Sequence, residues 1–213
     1  MLTVHHLGIS QSERIVWLCE ELDLDYTLKR WDRRADTRGA PDGYKALHPM
    51  GVAPVIVDGD LVLAESGAIC DYINARYGNS RLAPVPDHPD FADHLFWFHW
   101  ANGTFMATMM MGMAVQMSAA TGGSSTVPMV SSRTERCWAM IEQRLGEVDY
   151  FGGTQLTTAD IMMVFGLTTM RKFSAMSIES LPNVQAYLAR IGARPAYLRA
   201  MAKAEPGVEP RLT

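Results

Sequence analysis

Hydrophobic and polar residues alternate over residues 2–6, and the period lengthens to helical spacing after a polar break at residues 7–12. Alternation at every second position predicts a β-strand. Apolar residues then recur on one helix face: Ile15, Leu18, Cys19 and Leu22. Glu20 and Glu21 are expected on the outer face of that helix. Residues 26–31 again favour a strand, so we predict a parallel strand–helix–strand unit with a right-handed crossover.

The stretch GVAPVIVDGDLVLAESGAICD contains two apolar runs that an Asp-Gly pair separates. Residues 55–57 and 61–63 are the runs, and Asp-Gly between them is typical of a tight hairpin turn. A helix is predicted over residues 66–77, and the Ser66 hydroxyl is expected to cap its first turn. The order of elements in this part of the chain is therefore βαβ followed by ββα.

The second half of the chain shows helical patterns without strand alternation. Residues 79–89 are rich in proline and polar residues, which predicts a linker. The sequence TTAD at residues 157–160 is a capping box, which predicts the start of a buried helix. Other helices are predicted at residues 90–117, at 130–148 and from 182 onward. A Gly/Ser-rich break at 119–128 separates the first two of them. We predict an α/β domain at residues 1–78, a linker at 79–89 and an all-helical domain at 90–213.

Methionines recur along the helix predicted at residues 90–117, at the spacing of a single helix face: Met106, Met109, Met110, Met113 and Met117. Two interpretations remain open. The face can pack in a core or a dimer interface, or it can form an adaptable wall for an apolar ligand, since unbranched thioether side chains reshape readily.

Composition and charge exclude several classes of protein. The 213 residues are 48% hydrophobic with a net charge of −4, so the chain can bury one large or two modest cores and lacks the basic surface of a nucleic-acid binder. No apolar run reaches the ~18 residues of a membrane-spanning helix, and no signal segment precedes the first strand. The chain has three cysteines, and they show no metal-ligand spacing. We expect free thiols, no metal and a cytoplasmic location.

Three motifs together resemble the cytosolic glutathione S-transferase family, in its serine-type, bacterial-like form. They are SQxxRxxW at residues 10–17, HPxGxxPV at 48–55 and LVLAESGAI at 61–69. The resemblance extends over the whole chain, since the capping box and the helices after it are also similar to that family. It implies a thioredoxin-like N-terminal domain followed by an all-helical C-terminal domain.

The resemblance also implies which residues bind glutathione. Ala53 would offer its backbone to the cysteinyl part before a cis Pro54, and Glu65 with Ser66 would hold the γ-glutamyl group. Gln11, in the turn after the first strand, is included among the binding residues. Val52 stands where many relatives have a lysine for the glycyl carboxylate, and Arg38 or His48 is the alternative in this chain.

Thiol activation in this family uses a Tyr, Ser or Cys in the turn before the first helix. This chain has neither Tyr nor Cys there, so Ser10 is the candidate and Ser12 is its competitor. A third interpretation is that both serines only cap the helix. The absence of a cysteine from this turn disfavours the disulfide-exchange classes of the family, since those classes use a cysteine nucleophile.

The function that the resemblance implies is conjugation of the glutathione thiolate to hydrophobic electrophiles by a homodimer. The electrophile is expected against the methionine-rich helix, at Met106, Met109, Met110 and Met113. Alternatives are a glutathione-dependent isomerase, dehalogenase or peroxidase on the same fold, or a binding or regulatory protein without turnover.

Overall fold

Four strands form a sheet in the order β2-β1-β3-β4 in the computed structural model, which describes residues 1–119, 127–174 and 176–213. β1 pairs with β2 in parallel and with β3 antiparallel, and β3 pairs with β4 antiparallel. The strands are β1 (Leu2–Leu7), β2 (Thr27–Trp31), β3 (Val55–Asp58) and β4 (Leu61–Ala64). The predicted hairpin is confirmed, and its turn residues are Gly59 and Asp60, with Gly59 at a φ of 60°.

Three helices accompany these strands: α1 (Glu13–Glu21), α2 (Asp42–Lys45) and α3 (Ser66–Tyr77). α1 joins β1 to β2, and α3 follows β4, so the predicted βαβ-ββα order of a thioredoxin-like domain is confirmed. Nearly every side chain of α1 is buried, because β1, α3 and the last helix of the chain all contact it.

That last helix, α9 (Pro195–Ala204), packs against α1 and is joined to it by ion pairs. The Glu20 carboxylate accepts hydrogen bonds from Lys203 and Arg199, and the Glu21 carboxylate pairs with Arg194 through two bonds of 2.7 and 2.8 Å. The expectation that both glutamates face outward is wrong for Glu20, which is buried. A helix with neighbours on every side has no wholly solvated face, so its charged side chains need partners.

Contacts divide the chain into two compact units. Unit 1 comprises Met1–Pro84 and Arg190–Arg211, and unit 2 comprises Val85–Ala189 and Leu212–Thr213. The sequence predicted residues 90–213 as one helical domain; by their contacts, residues 190–211 of that stretch lie in unit 1. Most of the predicted break at 119–128 falls outside the described residues.

Unit 2 is built from helices, as predicted. The long helix expected at residues 90–117 is a continuous helical run with a π-helical segment inside it, Ala101–Met106. The helices are α4 (Phe91–Trp100), α5 (Ala107–Ala119), α6 (Val127–Glu147), α7 (Thr158–Leu167) and α8 (Pro182–Gly192), with a short 3₁₀ turn at Thr169–Phe173. None of the helices in the described ranges is both long enough and apolar enough to cross a bilayer.

The predicted capping box at the start of α7 is confirmed. Thr157 Oγ1 accepts from the Ala159 N–H at 3.2 Å, and the Asp160 carboxylate accepts from the Thr157 N–H at 2.9 Å. Asp160 is fully buried and also accepts from the Phe151 N–H at 2.8 Å and the Tyr187 hydroxyl at 3.0 Å. One carboxylate therefore joins the start of α7 to the loop before it and to α8.

We predict that Asp160→Ala lowers the free energy of unfolding by about 2–4 kcal/mol, since buried donors on Thr157, Phe151 and Tyr187 lose their acceptor. Urea denaturation of the purified variant measures this loss. Asp87→Ala is the matched control, because Asp87 is an exposed aspartate of the same unit. An unchanged unfolding midpoint in Asp160→Ala would contradict the prediction.

Candidate functional site

The register of the sheet brings three separate segments to one end of unit 1. His5 of β1 lies opposite Val55 of β3, and Val55 lies opposite Ala64 of β4. The turn after β1, the residues before β3 and the residues after β4 therefore leave the sheet at the same end. Both α1 and α3 begin there, and helix N-termini favour negative charge.

The turn after β1 carries the two candidate serines, and they occupy different positions. Ser10 Oγ lies 2.7 Å from both the Leu7 carbonyl oxygen and Ser12 Oγ, and it retains an exposed fraction of 7%. Ser12 is 0% exposed, and its hydroxyl lies 2.9 Å from His6 Nδ1. Ser12 is the residue before α1, yet its side chain makes no capping hydrogen bond, so the interpretation in which both serines only cap the helix is wrong for Ser12.

His6 connects this turn to the C-terminal segment of unit 1. Its Nε2 lies 3.1 Å from Glu205 Oε1, and both residues are buried. Burial raises the pKa of the Glu205 carboxyl, but the hydrogen bonds from His6 and from the Ile9 N–H outweigh burial, and the pKa is lowered overall. Glu205 is therefore an ionised acceptor at neutral pH.

The backbone of the turn is held from two sides. Ile9 has a φ of 52°, an uncommon conformation for a β-branched residue, which strains the chain. Its N–H donates to Glu205, and its carbonyl oxygen accepts from Arg33 Nη2 at 2.9 Å. Arg33 Nε also donates to the Gly8 carbonyl oxygen at 2.7 Å. Charged partners on both sides of Ile9 keep the turn in this conformation.

Arg14 connects the turn to the start of α3. It is buried, and its Nη1 donates to the Gln11 side chain and, at 3.0 Å, to Ser66 Oγ. Burial lowers the pKa of Arg14 to about 10, so the guanidinium remains charged at neutral pH. Gln11 and Ser66, both proposed as glutathione ligands, are thus joined through one buried cation.

Glu65 and Ser66 meet at the first turn of α3 in a way that differs from the expectation. Ser66 is the first residue of the helix and Glu65 is its N-cap, and the Glu65 side chain makes no capping hydrogen bond. The prediction that Ser66 is the N-cap is therefore wrong: Glu65 takes that position, and the Ser66 hydroxyl accepts from Arg14. Glu65 has a φ of 71° and an exposed side chain, so its carboxylate is open to solvent at this end of the sheet.

The residues before β3 include the cis peptide bond that the resemblance implied. The Ala53–Pro54 bond is cis, Pro54 is buried and Ala53 packs against the core cluster of Leu7, Tyr44 and Val55. Val52 is half exposed and carries no charge. This segment lies beside the turn after β1 because β3 pairs with β1.

Arg38 and His48, the alternatives for the glycyl carboxylate, are placed differently. Arg38 is exposed, and its carbonyl oxygen accepts from Arg33 Nη1 at 2.9 Å, which connects it to the residue that holds the turn. His48 is half-buried, and its Nδ1 accepts from the Met50 N–H at 3.3 Å.

The four methionines proposed to bind an electrophile lie in unit 2 and do not share one environment. Met106 and Met109 are buried in its core, at 4% and 6% exposure. Met110 is 57% exposed, and Met113 is half-buried. Met106, at the end of the π-helical segment, and Met109 are therefore core residues, and the interpretation of a wall for an apolar ligand is left to Met110 and Met113.

Four residues of this site carried no assigned role in the sequence-based prediction: His6, Arg14, Arg33 and Glu205. Arg14 belongs to the SQxxRxxW motif, which was the available signal. His6 and Glu205 are separated by 199 positions, so no local pattern pairs them. Among the described residues, no group of His, Cys, Asp or Glu is arranged to hold a metal ion.

Comparison with known protein families identifies both halves of the chain. Residues 10–76 match the family model of the glutathione S-transferase N-terminal domain, and residues 105–195 match that of the glutathione S-transferase C-terminal domain.

Individual relatives agree with these matches. Glutathione S-transferase 3 of Schizosaccharomyces pombe is 30% identical over 96% of this chain and 88% of its own length. A glutathione S-transferase from Actinobacillus pleuropneumoniae superimposes with a TM-score of 0.87 at 33% identity, covering 98% of this chain and 95% of that protein. A theta class enzyme from Xanthomonas axonopodis pv. citri, solved with glutathione bound, has a TM-score of 0.71 at 26% identity, covering 93% and 96% of the two chains. The chain belongs to the cytosolic glutathione S-transferase family of enzymes.

Proposed function

We propose that this enzyme binds glutathione at the sheet end of unit 1 and conjugates its thiolate to apolar electrophiles. The observation that carries the proposal is the position of Ser10, a residue with 7% exposure whose hydroxyl ends a buried hydrogen-bonded chain in the turn before α1. A relative of known structure has glutathione bound, which supports the choice of ligand.

Glutathione would be held by groups that match its two charged ends. The N-terminus of α3, the Ser66 hydroxyl and the nearby cation of Arg14 suit the α-carboxylate of the γ-glutamyl part, while the exposed Glu65 carboxylate suits its amino group. The Ala53 backbone before Pro54 would pair with the cysteinyl part. Val52 offers no charge, so Arg38 is the stronger candidate for the glycyl carboxylate, because Arg33 connects it to the turn.

Ser10 would activate the thiol by donating a hydrogen bond to the sulfur. A free thiol has a pKa near ~8.5, and only the thiolate is an effective nucleophile. A hydroxyl donor and the N-terminus of α1 both favour the charged form. Lowering the pKa by ~2 units corresponds to roughly 2.7 kcal/mol, which these two effects can supply in a partly buried site.

The electrophile is proposed to contact Met110 and Met113, since these are the two of the four methionines that lie outside the core of unit 2. Their flexible thioethers suit apolar ligands of varied shape. A second copy of the chain is the proposed partner. The exposed apolar side chains of Leu95 and Phe96 on α4 support an interface there, and analytical ultracentrifugation tests it.

We predict that Ser10→Ala reduces turnover at pH 6.5 by about 10-fold or more while the Kd for glutathione changes less than threefold. The reason is that the lost hydroxyl stabilises the thiolate and contributes little to holding the rest of the ligand. Ultraviolet absorbance of bound glutathione measures the thiol pKa in each variant. Ser80→Ala, an exposed serine of the same unit, is the control. Full turnover in Ser10→Ala would exclude Ser10 as the activator.

Ser66→Ala should show the opposite pattern. We expect the Kd for glutathione to rise by about 5- to 20-fold, a loss of roughly 1–2 kcal/mol for one hydrogen bond to a charged group, while the thiol pKa of the bound ligand stays within ~0.3 units. Calorimetric titration gives the Kd. A shifted thiol pKa with an unchanged Kd would place Ser66 in activation and contradict this division of roles.

A further inference from the structure

A continuous chain of hydrogen-bonding groups leads from Ser10 into the interior of unit 1. Ser10 Oγ lies 2.7 Å from Ser12 Oγ, Ser12 Oγ lies 2.9 Å from His6 Nδ1, and His6 Nε2 lies 3.1 Å from Glu205 Oε1. Ser12 and His6 are 0% exposed, so no bulk water competes for these contacts. Within this chain, the imidazole of His6 is a group that can hold a proton.

Counting hydrogens fixes the direction of each bond. The Glu205 carboxylate also accepts the Ile9 N–H, so an ionised Glu205 needs the His6 hydrogen on Nε2. In neutral His6, Nδ1 is then an acceptor, and the Ser12 hydroxyl donates to it at 2.9 Å in preference to the Leu7 carbonyl oxygen at 3.4 Å. Ser12 Oγ also accepts from the Leu7 N–H at 3.1 Å, and the one hydrogen of the Ser12 hydroxyl is already donated to His6. Contact between the two serines therefore requires Ser10 to be the donor.

We propose that His6 accepts the glutathione thiol proton through Ser10 and Ser12, with Glu205 as the positioning residue that holds its ring and balances its charge. The inference rests on the proposed function, since it needs the thiol to lie against Ser10. It goes further by assigning the place to which the proton moves.

The transfer consists of three short proton movements in the same direction, and atoms and charge balance over the three. The thiol S–H bond breaks as a Ser10 O–H bond forms, the former Ser10 hydrogen passes to Ser12 Oγ, and the former Ser12 hydrogen passes to His6 Nδ1. The products are a thiolate and an imidazolium whose Nε2–H still donates to the Glu205 carboxylate. Ser10 again carries one hydrogen, and that hydrogen points at the sulfur.

Charged groups around His6 decide whether it can hold the proton. Glu205 is the negative partner of the His6 ring. Two cations lie near Glu205: Arg30 of β2, whose Nε donates to the Ala204 carbonyl oxygen at 2.8 Å, and Arg33, which holds the Gly8 and Ile9 carbonyl oxygens. An ordinary imidazole is about two pKa units less basic than a thiolate. The Glu205 contact and the thiolate's hydrogen bond from Ser10 must together offset that difference.

The Leu7 carbonyl oxygen competes for the Ser10 hydrogen, because it lies at the same 2.7 Å distance as Ser12 Oγ. Rotation about the Ser10 Cα–Cβ and C–O bonds selects between the two acceptors. A thiol that donates to Ser10 Oγ leaves the serine free to direct its own hydrogen to Ser12. Ligand binding and the start of the relay are thereby joined at one hydroxyl.

Proton release separates this relay from simple donation by Ser10. At pH 7.5 about nine-tenths of free glutathione is protonated at sulfur. If the bound thiol ionises without the relay, nearly one proton per site appears in the buffer. If His6 keeps the proton, almost none appears, although ultraviolet absorbance shows the same thiolate. Titration calorimetry in buffers of different ionisation enthalpy counts the protons, and S-methylglutathione corrects for all groups except the thiol.

One variant removes the proton acceptor, His6, and another removes the negative charge of its partner, Glu205. His6→Asn keeps an oxygen that can accept from Ser12 but cannot take a proton, and Glu205→Gln keeps the shape of the positioning residue without its charge. We expect each to raise the thiol pKa of bound glutathione by about one unit or more. The thiolate that still forms in His6→Asn should release its proton to the buffer. Glu209→Gln is the matched control, since Glu209 is exposed four positions further along. Melting temperatures show whether each variant is folded.

The outcomes are distinct. Thiolate formation with less than about 0.3 protons released in the wild type, and near one per thiolate in His6→Asn, supports the relay. Release of about one proton per thiolate in both proteins overturns the relay and leaves the proposed function intact. Glutathione that binds without thiolate formation, or fails to bind, overturns both. If His6→Asn does not fold, an unshifted thiol pKa in folded Glu205→Gln, together with proton release in the wild type, overturns the relay.

Discussion

A single carboxylate oxygen, Oε1 of Glu205, holds together the parts of unit 1 on which its chemistry depends. It accepts the Ile9 N–H and lies within hydrogen-bond distance of His6 Nε2. The first contact keeps a strained residue in place, and the second orients a buried ring behind the two serines. Because burying a carboxylate without donors is costly, this geometry is stable only while both partners are present.

The other buried charges of unit 1 also join segments that are distant in sequence. Arg14 bonds to Gln11 and Ser66, and the Glu20 carboxylate bonds to Tyr26, Arg199 and Lys203. Removing the cations of such a set leaves a buried carboxylate with fewer donors, whereas the side chains of Arg199 and Lys203 are about half exposed and can be hydrated. Apolar packing would place these segments near one another, and the charged sets fix how they are aligned. The positions of Ser10 and Ser66 therefore depend on residues outside the motifs that contain them.

Local signals in the sequence predicted the strands, the hairpin and the capping box correctly, since each depends on residues within a few positions of one another. Thr157 and Asp160 are three apart, and the cis Ala53–Pro54 bond came from a motif of eight residues. Ser66 was misjudged as the N-cap because Glu65 takes that position with a φ of 71°, and the Ser66 hydroxyl accepts from Arg14, 52 positions away. The spacing of the methionines places them on one face of the helix, but spacing alone did not show that Met106 and Met109 are buried while Met110 is exposed. Glu205 could not be placed, since a lone glutamate between Ala204 and Pro206 carries no signal of a buried role.

The grouping of residues 190–211 with the strands has a consequence for how the protein is made. A ribosome delivers β1 to α3 first, then residues 85–189 of unit 2, and only afterwards α9 and Glu205. Domains generally fold as they emerge, from the N-terminus onward. In this chain the strands and α1 emerge before α9, which covers one face of α1, and before Glu205, the partner of the His6 ring. The completion of unit 1 must wait until residues 195–205 have been made, so the proposed glutathione site matures only after residues 85–189 have emerged, although its motifs precede them in the chain.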